Sequence, residues 1–270
     1  MRRRLTIAAV LSTAVAVTSV AIGQPAGMRQ SIEAAVAAKT RTPANVERDK
    51  YRHPVETLAF FGVKPTDTVV EFSPGGGWYT EILAPMVKTR GRYYALVNAS
   101  GAAGATKLLD GKRADFGANA TVATIDAATG TSTVPAGTAD VVLTFRNVHN
   151  LLMSPDPTTG QKVFAAFFAA LKPGGTLGVV DHRLPEEMDA AKEKSSGYLK
   201  RSTVVRLAQA AGFELAGESQ VNANPRDDHD HPGGVWSLPP SLRLGEQDRA
   251  AYQAIGESDR MTLKFRKPTK

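Results

Sequence analysis

Cysteine is absent from this 270-residue chain. That excludes a disulfide, a thiolate metal site and a cysteine-borne lipid anchor, so the fold must rest on its core. Lys/Arg-rich runs of the kind that grip nucleic acid are missing, as are internal repeats and low-complexity tracts. Long apolar runs are nearly missing too. The one candidate, LTIAAVLSTAVAVTSVAIG at 5–23, is diluted by Ser and Thr and barely reaches spanning length. Arg2, Arg3 and Arg4 precede it, and Ala21 and Gly23 supply the small residues of a cleavage site before Gln24. Residues 1–23 therefore read as a cleaved signal peptide, placing the mature protein in the periplasm or outside the cell, off the membrane. The adjacent arginines also leave a twin-arginine route open. The whole chain has 33 basic and 26 acidic side chains, a charge of +7. Loss of the three leader arginines leaves 30 against 26, or +4, which gives little support to a nucleic-acid partner.

What is present is a globular composition, 42% hydrophobic and 22% charged. Residues 24–50 are Ala-rich and polar, with a helix expected near 30–39 and a break at Pro43; they read as a surface arm. From Tyr51 to the end, one domain follows a regular alternation. Strands are expected over 66–73, 91–98, 120–126, 139–150, 176–183, the end of 197–215, and 259–267. Helices are expected over 53–63, 77–88, from about 100 to Phe116, over 160–175 and at the start of 197–215. Strands alternating with helices specify an α/β fold, a mostly parallel sheet covered on both faces. The Pro-, Gly-, Asp- and His-rich stretch 222–241 reads as a long loop.

The stretch VVEFSPGGGWYTEILAP, residues 69–85, puts a glycine turn between the first strand and its helix, where such sheets bind ligands. A dinucleotide fingerprint would use Gly75 and Gly77, but Thr80 stands where its third glycine belongs. The P-loop lysine is also lacking. What remains is a turn that lets a ligand approach the backbone, or one that merely joins strand to helix.

On this stretch, and on RDKYRHPVETLAFFGV (48–63), ADVVLTFRNVHNL (139–151), LKPGGTLGVVDHR (171–183), VWSLPPSLR (235–243) and IGESDRMTLKFRKP (255–268), the chain resembles class I S-adenosylmethionine-dependent methyltransferases. More narrowly, it resembles a bacterial family of often exported methyltransferases. The resemblance implies a Rossmann-like seven-stranded sheet with its last strand antiparallel, S-adenosylmethionine as cofactor and a small-molecule acceptor. It implies that Glu71, Ser73, Gly75, Gly76, Gly77 and Trp78 surround the amino-acid end of the cofactor, and that Asp126 faces the adenine amine. Asn98 stands where the superfamily places an acid on the ribose, and Ser73 where it places a glycine. Asn147 and His149 would lie where cofactor and acceptor meet.

Methyl transfer needs alignment, plus a base where the acceptor must lose a proton. His149 is the first candidate base, with His182 and Asn147 beside it in the catalytic set; a structural histidine tying the loop is the bland alternative. Asp181 could hold the tautomer of His182 or cap the strand. His53 and Glu56 share a helix face, either as a lid or as surface packing. Trp78 and Tyr79 could line the cofactor pocket or pack on the sheet, and Trp236 with its following prolines could close over an acceptor. No metal is expected. The alternatives carried forward are a non-enzymatic exported ligand-binding protein and a metal-assisted enzyme using the Asp227–His231 loop.

Overall fold

The computed structural model describes residues 26–269; the leader and its cleavage point lie outside them. Among the described residues there are nine strands. They are β1 (Thr68–Phe72), β2 (Arg92–Val97), β3 (Ala120–Asp126), β4 (Thr131–Ser132), β5 (Ala139–Phe145), β6 (Leu171–Leu184), β7 (Leu199–Lys200), β8 (Glu214–Ser219) and β9 (Arg260–Arg266). They form one sheet in the order β4-β3-β2-β1-β5-β6-β9-β8, with β7 paired to β6 off that path. The chain thus builds outward from β1 to β3, then returns to build outward on the other side from β5. β1 between β2 and β5 is the switch point, and ligands collect at its carboxyl end. β9 runs antiparallel to both β6 and β8. Beyond the seven strands expected, β4 and β7 are two-residue additions at the margins.

Alternation along each inner strand sends side chains to two separate cores. Val69 of β1 and Val141, Leu143 and Phe145 of β5 face one side, with helices Pro54–Phe61 and Thr80–Val87. Val70 and Val142 face the other, with helices Thr159–Ala170 and Arg201–Ala210. Burial on both faces is why these strands read as continuous apolar runs.

Two expectations are corrected. Residues 26–50 are no surface arm: in helix Ala26–Val36, Met28, Ile32 and Ala35 are buried in the first core, against helices Pro54–Phe61 and Thr80–Val87. Small residues on the other helix faces hid this amphipathic stripe. The fourth long strand stops at Phe145, and Arg146, at φ 58°, turns the chain into the short helix Val148–Leu152. Asn147 and His149 thus stand on a turn and a helix beyond the strand. Among the described residues, no helix is long and apolar enough to cross a membrane.

Candidate functional site

The glycine loop leaves β1 at the switch point. Ser73, Gly75 and Gly77 take left-handed conformations (φ 50°, 58° and 80°), reversing the chain before helix Thr80–Val87 begins. A Cβ at Gly75 or Gly76 would meet nothing within 4 Å, so both backbones are bare toward a ligand. Gly77 serves packing instead: a Cβ there would lie 2.8 Å from the Leu108 side chain. Ser73 pays the cost of a left-handed backbone without being glycine, about 1 kcal/mol, and its amide is tied to Leu96 O at 2.8 Å.

A cleft of about 200 Å³ opens on one side of the loop, lined by Glu71, Ser73, Gly75, Gly76, Trp78 and Asn147 together with Arg48, Arg52 and Arg146. Glu71 accepts from Tyr93 OH at 2.7 Å and Thr80 Oγ1 at 3.0 Å, both at Oε2. Burial pushes its carboxyl up to about 7 against these two bonds. Trp78 does both things expected of it: it lines the cleft and packs, with Nε1 donating to Asn45 O at 2.7 Å and Arg52 stacked 4.7 Å from its ring. Tyr79 lies flat on Phe145, centroids 3.5 Å apart. On the other side of the loop, Asn98 and Asp126 share an open cleft at the ends of β2 and β3. Asn98 Oδ1 is spent on Gly101 N (2.8 Å) and Ser100 Oγ (3.0 Å), leaving the Nδ2 donor. Asp126 spends Oδ1 on Ala128 N at 2.9 Å, and its other oxygen has no partner among the described residues.

A second cavity, about 210 Å³, adjoins the Gly-loop cleft through Arg146, which lines both. His149, His182, Trp236, Pro239, Pro240 and Ser258 are among its walls. Here a sequence expectation is corrected: Asp181 holds His149, not the ring of His182. The fully buried carboxylate accepts His149 Nδ1 at 2.8 Å and three backbone amides, of Val148, His149 and His182. The His182 ring turns to Ser258 Oγ. Burial, then the neighbouring His149 and the Arg146, Arg260 and Arg52 charges, keep His182 well below the usual imidazole range and hence neutral. Asn147 is a strut whose Nδ2 donates to Phe145 O (3.0 Å) and Ser73 O (3.2 Å), joining the ends of β5 and β1.

The His53/Glu56 pair forms no lid: Glu56 reaches back to Arg29 at 3.5 Å, and neither residue lines either cleft. In the Asp227–His231 loop, ligand atoms of Asp227, Asp228 and His231 lie within 4.8 Å of one another, but Asp227 and His231 already bond each other. Asp227 is consumed by Tyr198 OH, His231 Nε2 and the amides of His229 and Asp259, all within 3.0 Å. His229 pairs with Asp259 and Asp230 with Lys192. The segment is a knot that ties a long loop to the start of β9.

The arginines are what the sequence reading overlooked. Arg48, Arg52, Arg146 and Arg260 surround one carboxylate, Glu257, which burial pushes up but which those four cations hold at about 2. The available signal was an arginine directly after the apolar strand at the switch point.

No family model and no curated protein matches the sequence. Solved structures do resemble the fold. A SAM-dependent methyltransferase from Aquifex aeolicus aligns with a TM-score of 0.53 at 20% identity, over 72% of this chain and 93% of that one. Phosphoethanolamine N-methyltransferase 2 from Haemonchus contortus, in complex with S-adenosyl-L-methionine, gives 0.52 at 15%, over 89% of this chain and 56% of that one. The cyclase SpnF gives 0.60 at 14%, over 89% of this chain and 93% of that one. At these identities what is shared is the architecture, the Rossmann-like methyltransferase fold.

Proposed function

We propose that the chain transfers a methyl group from S-adenosylmethionine to a small-molecule acceptor. The observation that carries this reading is the bare glycine loop at the switch point, flanked by the Asn98/Asp126 cleft on one side and the Glu71/Arg146 cleft on the other, next to a histidine cavity. The fold alone does not carry it, since one scaffold hosts many chemistries.

The residues fit the cofactor. Gly75 and Gly76 leave the loop open to its amino-acid end, and Glu71, half-ionised near pH 7, is poised to accept from its ammonium. Asn98 offers a donor to a ribose hydroxyl where the superfamily offers an acceptor, and Asp126 keeps one oxygen for an adenine amine. When bound, the cofactor supplies an electrophilic methyl on a sulfonium. The chain's own part is alignment and proton removal. Asp181 takes the Nδ1 proton side of His149 in hydrogen bond, which leaves the Nε2 lone pair of the ring as the base for an acceptor hydroxyl or amine in the cavity. Trp236, Pro239 and Pro240 exclude water from that side. Asn147 keeps the two strand ends, and so the two sites, in register. His182, held neutral, donates or accepts one hydrogen bond without adding charge.

Calorimetric titration of S-adenosylhomocysteine into the purified chain tests the reading. Micromolar binding, weakened about tenfold in Asp126→Ala by loss of one hydrogen bond to a charged group, is expected. Absence of heat from folded protein free of carried-over cofactor would overturn it. The exported location is a separate part of the proposal, resting on residues 1–23. Cell fractionation tests it, a full-length chain confined to the cytoplasm being the contrary result.

A further inference from the structure

The two sites meet at a knot of positive charge larger than the chain itself neutralises. Arg48 Nε donates to Glu257 at 2.8 Å, Arg52 Nε at 3.1 Å, and Arg260 Nη1 lies 3.1 Å from the same carboxylate. Arg146, the residue that lines both cavities, makes no side-chain hydrogen bond or ion pair among the described residues. Arg52 is almost wholly buried, yet its Nη2 has no hydrogen-bond partner. Three guanidinium groups thus pair with one carboxylate, Glu257, and the charge of a fourth, Arg146, acts on it without pairing. Glu71, the other acid on the cleft, is itself driven toward the neutral form by burial. Burial and then the Arg146 charge pull the Arg52 guanidinium down to about 8, against the opposing charge of Glu257.

Unpaired buried cations are costly, and a bound anion relieves the cost while gaining charge-assisted hydrogen bonds. The amino-acid end of the cofactor cannot supply that relief alone, because its carboxylate arrives with an ammonium. The same field argues against a metal ion: His149, Asp181 and His182 are close enough to hold one, but a divalent cation would face Arg146, Arg260 and Arg52 at close range. Arg146 therefore presents its guanidinium to whatever enters the cavity beside His149.

We propose that the methyl acceptor is a small anion, bearing a carboxylate or phosphate that binds Arg146, with its methyl-accepting atom beside His149. This rests on the methyl-transfer reading above and specifies its substrate class. Arg146 is a guanidinium fork suited to either planar or tetrahedral oxyanions, and the cavity of about 210 Å³ limits the molecule to a compact one.

The test uses the full chain saturated with S-adenosylhomocysteine and two probes, inorganic phosphate and benzoate, titrated calorimetrically. At least one probe is expected to bind. Arg146→Gln should weaken that binding roughly tenfold or more, the loss of a charge-assisted hydrogen bond, and should weaken it more than it weakens S-adenosylhomocysteine, whose cleft Arg146 also lines; Arg146→Lys should restore most of it. Arg146 makes no side-chain hydrogen bond or ion pair among the described residues, so both variants are expected to fold, which their thermal midpoints check. Binding of neither probe overturns the proposal, as does wild-type probe affinity in Arg146→Gln. A larger loss of S-adenosylhomocysteine affinity than of probe affinity in Arg146→Gln overturns it too, by assigning the guanidinium to the cofactor. If the wild type binds phosphate but not S-adenosylhomocysteine, the methyl-transfer reading fails, and the acceptor assignment with it, leaving only an anion site.

Discussion

Asp181 and Asp227 are buried carboxylates with nearly the same local chemistry and opposite uses. Each accepts from four groups, one of them a histidine ring: His149 Nδ1 at 2.8 Å for Asp181, His231 Nε2 at 2.9 Å for Asp227. Asp181 sits under a cavity, so the ring it holds turns its other nitrogen toward an open space. Asp227 sits inside a loop, and the other nitrogen of its ring faces Asp228 at 3.5 Å. One arrangement leaves a ring nitrogen toward an open cavity; the other turns both ring nitrogens toward carboxylates. A His/Asp cluster becomes a site only where some of its hydrogen-bonding capacity is left over, and only the surrounding packing decides that.

The comparison can be broken most severely at His149. His149→Ala should lower methyl transfer about 10²- to 10⁴-fold, the usual contribution of a positioned base, with S-adenosylhomocysteine affinity retained. Turnover of an anionic acceptor, followed by S-adenosylhomocysteine release, is the measurement. The Asp227 counterpart should act on stability instead. Asp227→Ala orphans a buried tyrosine hydroxyl and two amides, a cost of about 3 kcal/mol or more in urea unfolding, while cofactor affinity in the folded fraction stays as in the wild type. If the two phenotypes were exchanged, the division between site and knot would be wrong.

The pH dependence separates the same regions by sign. In the site, Glu71 has its folded value raised to about 7 from 4.5, so the folded state holds the extra proton between those values. Its stabilisation is complete below about pH 4.5 and is lost as pH rises through 7, an effect on the order of 3 kcal/mol. In the knot, Asp259 is lowered to about 2 from 3.8 despite burial, chiefly by His229 and Arg183. Its contribution is present above pH 3.8 and is lost as pH falls through 2, on the order of 2 kcal/mol. Urea midpoints between pH 2 and 8 should flatten at the upper end in Glu71→Gln and at the lower end in Asp259→Asn; the reverse assignment would contradict both environments. The smallest effect concerns backbone. Ser73 and His229 are both left-handed, at φ 50° and 65°. Ser73→Gly should stabilise by up to about 1 kcal/mol, whereas His229→Gly should destabilise, because it also gives up the bond to Asp259. Equal shifts in thermal midpoint would mean that backbone conformation alone governs both positions.

Much of the fold was legible in the sequence because it is written in local patterns. The apolar runs VVEF and ADVVLTF and the helix stop at Gly62 follow from burial on two faces and from a terminator residue, whereas residues 171–175, expected to end a helix, already belong to β6. The glycine loop was legible for the same reason. Partner choice was not. That Asp181 would hold His149, 32 positions away, rather than its neighbour His182 depends on a turn at Arg146 whose left-handed backbone no residue preference announces. The burial of Ile32 was hidden by alanines that blur its amphipathic stripe. The arginine cluster was hidden because its members come from three distant stretches and acquire meaning only around Glu257.

That cluster also bears on how the molecule comes into being. Arg52 and Glu257 are joined across 205 positions of chain. The strands around the glycine loop are complete by Phe145, and the first core can begin to close on local contacts alone. The counter-charge for these arginines, however, lies far downstream, on Glu257. Contacts of such span are slow to form, since loop closure must precede any gain from them. Arg48, Arg52 and Arg146 therefore all precede in sequence the acid that holds them. Until Glu257 and β9 are in place, that carboxylate cannot draw together the arginines beside the glycine loop.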